Sequence, residues 1–429
     1  KLKIIRNFKY YILIIIWVVW AYRSIYFYVY DTFFSSIAIL SDILLICLLS
    51  YILGNLIIRN SSVLLNILFG VSLLTLLSSV LVILNLHTIF SKPNNFSHLI
   101  FLLFSSLYIY STELDYQKYL KSILQINKLF SLIIFIPFLP YVFTPAPPDA
   151  DITSISEIIG YIYQGKNLSN LSTGLINSNI FIRYPIGLPS LAWIYSIFLN
   201  LRASEILLLL WILSYVFLIL TIIKITNNFN INPWIIILFS LNITINGTYG
   251  LKGGQVQEII SYTFGLTSIL LLFKNKYFHS NILCATAMII HPIVSIPFLT
   301  TNSFYYIYKY KLYFLSLNKF KKIFIDFSFI FFAFIYLIYL GLGDSDNKSI
   351  VKIAIENTSF RIFTNEVIRN INSDTFGLSF FLISIFISYK FRIIEKDHLI
   401  LFILWILGIF VIDGLFRVLS TGPFHGTFS

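Results

Sequence analysis

Two carboxylates stand two residues apart where a long apolar run gives way to a polar stretch, in the segment Pro147-Pro148-Asp149-Ala150-Asp151. The stretch runs for 38 residues, from Pro147 to Tyr184, and closes on Arg183-Tyr184-Pro185-Ile186-Gly187. Charged groups held at a membrane face cost free energy, so this loop is the first place to seek chemistry. A carboxylate in water-poor surroundings gains proton affinity and suits the work of a general base, while nearby cationic or polar side chains suit an anion. Asp151 is the principal base candidate and Asp149 the second. A further acid, Glu258, ends the segment Tyr249-Gly250-Leu251-Lys252-Gly253-Gly254-Gln255-Val256-Gln257-Glu258; it would orient a reactant or share a cation with Asp151. The candidates for binding an anionic substrate are Arg183, Lys252, and the 344–375 stretch with Lys348, Lys352, Arg361 and Arg369. Plainer roles compete with these. Asp151 at a helix start is favoured by roughly 0.3–1 kcal/mol for the dipole alone, and exposed basic residues usually only solvate a loop.

The elements that must position these groups follow from composition. Hydrophobic residues make up 58% of the 429, charged residues 11%, and mean hydropathy is +0.86, so a single water-soluble core cannot hide the apolar surface. Several apolar runs approach the roughly 20 residues that span a bilayer. They lie near 10–30, 35–58, 62–85, 99–112, 129–146, 204–223, 233–246, 258–273, 280–290, 292–308, 323–343, 376–389 and 398–415. Backbone in hydrocarbon must satisfy its own hydrogen bonds, and none of the runs shows the alternation of a membrane barrel, so they predict helices. The expected fold is all-α: a polytopic transmembrane bundle of about 11–13 spans, with residues 1–128 as N-terminal helices and 129–429 as the core.

With the N-terminus cytoplasmic, the inside segments carry 19 of the 30 Lys and Arg residues, as the positive-inside rule requires. That orientation puts 147–203, 247–257, the His291-Pro292 hinge and 344–375 on the outer face of a cytoplasmic (inner) membrane. The net charge of +12 is scattered singly between spans, which fits lipid headgroups and excludes a nucleic-acid surface. Cys47 and Cys284 sit in apolar runs and give no disulfide or metal framework. No cleavable signal peptide is evident, so the first span is expected to serve as an anchor. Within the outer loop Ile155, Ile158, Ile159 and Ile162 recur at helical spacing, predicting a short interfacial helix with its apolar side in lipid. Pro185 to about Leu199 is expected to form a second interfacial or re-entrant segment, so that the two form a collar. Arg23, Asp31, Asp42, Asp326 and Asp413, in or at the ends of spans, are given structural roles, with Asp326 at the interface.

This order of features resembles the GT-C superfamily of integral-membrane glycosyltransferases, in particular the aminoarabinose and protein-mannosyl transferase type. The resemblance rests on the acid after an outward helix, the Asp151 to Glu157-Ile158 spacing, the Tyr184-Pro185-Ile186-Gly187 turn, and the basic-then-acidic pair Lys252 and Glu258. His291-Pro292 stands where such members often carry Lys-Gly-Pro, which places His291 and Tyr184 among the substrate contacts. The chain departs from the pattern in lacking a double proline at the turn and in carrying four spans before residue 129. The resemblance implies transfer of a sugar from a polyprenyl-phosphate donor to a glycan, lipid or protein acceptor of the cell envelope, with Asp151 as base. It names no certain cofactor and leaves a divalent cation, Mg or Mn, as an option. From the residues themselves His291 is a hydrogen-bonded kink rather than a metal ligand, because no second His or Cys stands at ligand spacing. Gly253-Gly254 lacks the Lys-Ser/Thr of a phosphate-cradling loop, so nucleotide-driven transport is unsupported. The rival readings are an O-antigen-type polymerase or ligase acting through Arg361 or Arg369, and a lipid-linked sugar flippase or transporter with its site at mid-depth.

Overall fold

The computed structural model describes residues 32–58, 61–90, 150–166, 185–199, 201–228, 256–310, 317–342 and 396–407, with isolated residues 106, 386, 389 and 390. Among the described residues every regular element is a helix. In chain order they are α1 (Thr32–Ile57), α2 (Val63–Ile83), a 3-10 turn η1 (Leu86–Phe90), α3 (Ala150–Tyr163), α4 (Gly187–Leu199) and α5 (Ala203–Asn228). There follow α6 (Val256–Phe273), α7 (Tyr277–Ile290), α8 (Pro292–Tyr310), α9 (Leu317–Leu342) and α10 (Lys396–Leu407). Among the described residues three stretches are long and apolar enough to cross a membrane: Val63–Ile83, Ala203–Ile225 and Val256–Phe273. They coincide with the expected spans at 62–85, 204–223 and 258–273. Those expected at 10–30, 99–112, 129–146 and 233–246 lie outside the described residues, isolated residue 106 apart.

Hydroxyls inside these apolar helices bond back to the preceding turn. Thr75 donates to the Val71 carbonyl at 2.8 Å, Thr267 to Thr263 at 2.7 Å and Thr286 to Ile282 at 2.9 Å. Such bonds satisfy a polar side chain without water, which hydrocarbon does not supply. Cys47 and Cys284 carry free thiols.

The chain divides into two compact units. In the first, Ser62 caps α2, its side chain accepting from the Leu65 amide at 3.4 Å, and α1 and α2 pack along their length. Ser50 and Gly54 on α1 face Asn66 and Gly70 on α2: a Cβ built on Gly54 would fall on the Asn66 carbonyl, and one on Gly70 would fall on the Ser50 carbonyl. Two small residues four apart on one helix thus let the backbones of the pair touch. Helix α4 packs on α2, fixed by a 3.0 Å bond between the Ser79 and Ser190 hydroxyls, and the Tyr195 hydroxyl meets Ser50 of α1 at 2.7 Å. Within this unit α4 thus packs on both α1 and α2.

The second unit is built on α7, which packs against α8 and α9, with α10 laid against α8. Its centre holds Ile269, Cys284, Val294, Phe298, Tyr306 and Leu401. Phe324, Ile325, Phe331 and Ile335 of α9 are exposed apolar side chains, an arrangement that a bilayer accommodates and water does not.

Candidate functional site

Ala150 opens α3, which makes Asp151 its second residue, at the end where backbone N–H groups and the helix dipole favour an anion. The expected isoleucine face exists, but its environment differs from the expectation. Ile155, Ile158, Ile159 and Ile162 are at most 2% exposed, and α3 packs on α4 and η1. Protein rather than lipid covers this face, because α4 and η1 offer apolar surface that would otherwise go uncovered. The segment after Pro185 is likewise corrected. Leu188, Leu191, Trp193 and Tyr195 of α4 are fully buried, so it is an internal helix and not part of an interfacial collar.

The far end of α3 is locked. The Gly165 amide donates to the Ile162 carbonyl at 3.0 Å and the Lys166 amide to Tyr161 at 3.1 Å, the paired bonds of a Schellman turn. Gly165 sits at φ 67°, a left-handed conformation that a side chain disfavours. The Lys166 ammonium then lies 4.9 Å over the Tyr161 ring, and its carbonyl accepts from His87 Nε2 at 3.1 Å. A carbonyl can only accept, so Nε2 carries the proton. His87 stands edge-on to Trp193 at 6.2 Å between ring centroids, and both residues are fully buried. Burial also pushes the Tyr163 phenol above its ordinary value. His87, Gly165 and Trp193 were not singled out by sequence reasoning; the Gly165 helix stop was visible there, whereas the His87 contact bridges 79 residues.

Of the remaining sequence candidates, Glu258 occupies the first turn of α6. His291 is the hinge between α7 and α8. Its amide donates to the Ala287 carbonyl at 2.9 Å and so closes α7, while its Nδ1 accepts from the Val294 amide at 3.3 Å and so caps α8. Pro292 follows as the first helical residue, the position where a missing N–H costs nothing. Ser261 Oγ donates to the Ala287 carbonyl at 3.1 Å, tying α6 to the same break. Asp149, Arg183, Tyr184, Lys252, Arg361 and Arg369 lie outside the described residues, as does the 344–375 loop. Among the described residues no three His, Cys, Asp or Glu side chains gather as a metal cage. Asp326, expected at the interface, is instead buried.

The chain matches no protein family, no characterised protein and no solved structure. What fold and composition define is a protein whose described residues form helices throughout, with helices able to cross a membrane.

Proposed function

We propose that the chain is a polytopic integral-membrane glycosyltransferase of the GT-C kind, with about 11–13 spans and its N-terminus in the cytoplasm. It takes a sugar from a polyprenyl-phosphate donor and passes it to a cell-envelope acceptor on the outer face of the inner membrane. Asp151 removes the proton from the acceptor hydroxyl, whose oxygen bonds to the anomeric carbon as the carbon–oxygen bond to phosphate breaks. The electron pair leaves with the phosphate, where Arg183, Lys252 and the basic residues of 344–375 neutralise it.

One observation carries this reading. Asp151 is the second residue of a short helix whose apolar face is buried in protein and whose other end is fastened at Gly165 and His87. A base must hold its place to be effective, and a helix pinned along one side and at its end supplies that. The donor arrives at the same depth because its carrier is a lipid.

The test is consumption of radiolabelled polyprenyl-phosphate sugars by purified protein in detergent, wild type beside Asp151→Asn. The near-isosteric variant is expected to fold normally and to lose transfer by at least about 100-fold, the lower bound for removing a general base. Wild-type activity in Asp151→Asn would refute the assignment. Dependence on Arg361 or Arg369 instead would favour the polymerase or ligase, and transport without transfer the flippase.

A further inference from the structure

Four helices of the second unit meet at one end. The Tyr306 hydroxyl, near the close of α8, donates to Asp326 Oδ2, near the start of α9, at 2.6 Å. Asn281 Nδ2, in the second turn of α7, donates to the Asp326 carbonyl at 2.8 Å, and Tyr277, the first residue of α7, stands edge-on to Tyr306 at 5.3 Å between ring centroids. Lys309 on α8 is hydrogen-bonded to Asp397 at the start of α10. The starts of α7, α9 and α10 and the close of α8 therefore lie together.

That end is basic. Lys274 and Lys276 in the turn before α7, Lys321 and Lys322 on α9, and Lys396 on α10 are all exposed. Among the described residues of this unit the acids are Asp326, which is buried, and Asp397, which pairs with Lys309. The lysine excess thus lies at the surface, where gathered like charges attract an anionic partner.

Apolar surface begins where the lysines stop. Asp326, Ile330 and Ala333 form the buried side of α9, whereas Phe324, Ile325, Phe331 and Ile335 are each at least 50% exposed. Their spacing puts these four on the same side of the helix as Lys321. Phe324 and Phe331, two turns apart, stack with ring centroids 6.4 Å apart and planes at 29°, which makes the strip continuous. A soluble anion would meet the lysines and leave the strip in water. A neutral lipid would cover the strip and leave the lysines without countercharge. An anionic phospholipid satisfies both, with phosphate beside ammonium and acyl chains beside hydrocarbon. We propose that this end of the second unit is a docking surface for anionic phospholipid, with headgroups at Lys274, Lys276 and Lys321 and acyl chains along the exposed strip of α9. Bound lipid stabilises the folded chain, and glycosyl transfer does not call for it.

The experiment titrates the purified full chain, in neutral detergent, with phosphatidylglycerol or with phosphatidylcholine of the same acyl chains, and reads binding from the thermal unfolding midpoint. Phosphatidylglycerol is expected to raise the midpoint by about 2 °C or more, saturably, and to half-saturate at a concentration at least about ten-fold below that of phosphatidylcholine. A lysine near an anionic membrane surface is worth about five-fold in affinity, so the triple variant Lys274→Gln, Lys276→Gln, Lys321→Gln should raise the half-saturating phosphatidylglycerol concentration at least about ten-fold. All three side chains are exposed, so the variant is expected to fold. Arg202→Gln removes an exposed charge from the first unit and should keep the wild-type half-saturation. Equal half-saturation by the two lipids in the wild type, an unchanged phosphatidylglycerol response in the triple variant, or an equal loss in Arg202→Gln overturns the proposal. Displacement of the lipid by inorganic phosphate or glycerol 3-phosphate at comparable concentration also overturns it, assigning the lysines to a free anion.

Discussion

Gly70→Ala is expected to destabilise the protein by about 3 kcal/mol, the upper end of the usual overpacking range. The added methyl would lie 2.6 Å from Ser50 Cα and closer still to the Ser50 carbonyl, against 3.4 Å for ordinary contact. The obstacle is backbone, which cannot rotate aside, so α1 and α2 must separate by at least about 0.8 Å. A gap of roughly 0.5–1 Å forfeits a quarter to a half of the dispersion well for each atom pair across the seam. The separation also strains the bond between Ser50 and Tyr195 that ties α4 to the pair. Two other glycines serve as internal standards. A Cβ on Gly160 meets nothing within 4 Å, so Gly160→Ala in mid-helix should stabilise by about 0.5–1 kcal/mol. The three atoms nearest a Cβ on Gly265 all belong to the ring of Phe298, a side chain rather than backbone, so Gly265→Ala should cost about 1–2 kcal/mol. The assay is reversible unfolding in mixed micelles at rising dodecyl sulfate fraction, followed by helical circular dichroism. Gly70→Ala within about 0.5 kcal/mol of wild type, or no better separated from Gly160→Ala than that, would refute the close-contact seam.

Two further outcomes follow from named contacts. Gly165→Ala places a side chain at φ 67° and should cost roughly 1–2 kcal/mol, freeing the end of α3 so that proteolysis between α3 and residue 184 speeds up; an unchanged cleavage rate would count against the Schellman stop. The Asp397 carboxylate, hydrogen-bonded to Lys309 between α10 and α8, holds that ammonium above the ordinary lysine value of 10.5. A raised folded pKa means that the contribution is complete below the unfolded value and is lost as pH climbs through the folded one. The stability difference between wild type and Lys309→Met, on the order of 0.2–1 kcal/mol for so exposed a pair, should therefore vanish in the alkaline window above 10.5 and shrink in high salt. Unfolding midpoints across that window that keep a constant difference would contradict the pairing.

The sequence by itself determined the class of the protein and much of its local structure. Apolar run length identified α2, α5 and α6, since a helix is the one way such backbone satisfies its hydrogen bonds without water. Isoleucine spacing marked the buried face of α3, and His291-Pro292 marked the break between α7 and α8, because periodicity and proline act on near neighbours. The candidate acids were legible to the same extent: Asp151 and Glu258 fall in the first turns of α3 and α6. Only the tertiary structure decided what covers each face. Amphipathicity says that one side of α3 is apolar, and it cannot say whether lipid or α4 and η1 will cover it. The bonds of His87 to Lys166 and Ser50 to Tyr195 join residues 79 and 145 positions apart, and Asp326 finds Tyr306 and Asn281 on two other helices. Single polar residues in an apolar chain give no periodic signal. Their partners are set by which helices pack together, and that packing turns here on close approaches such as Gly70 against Ser50.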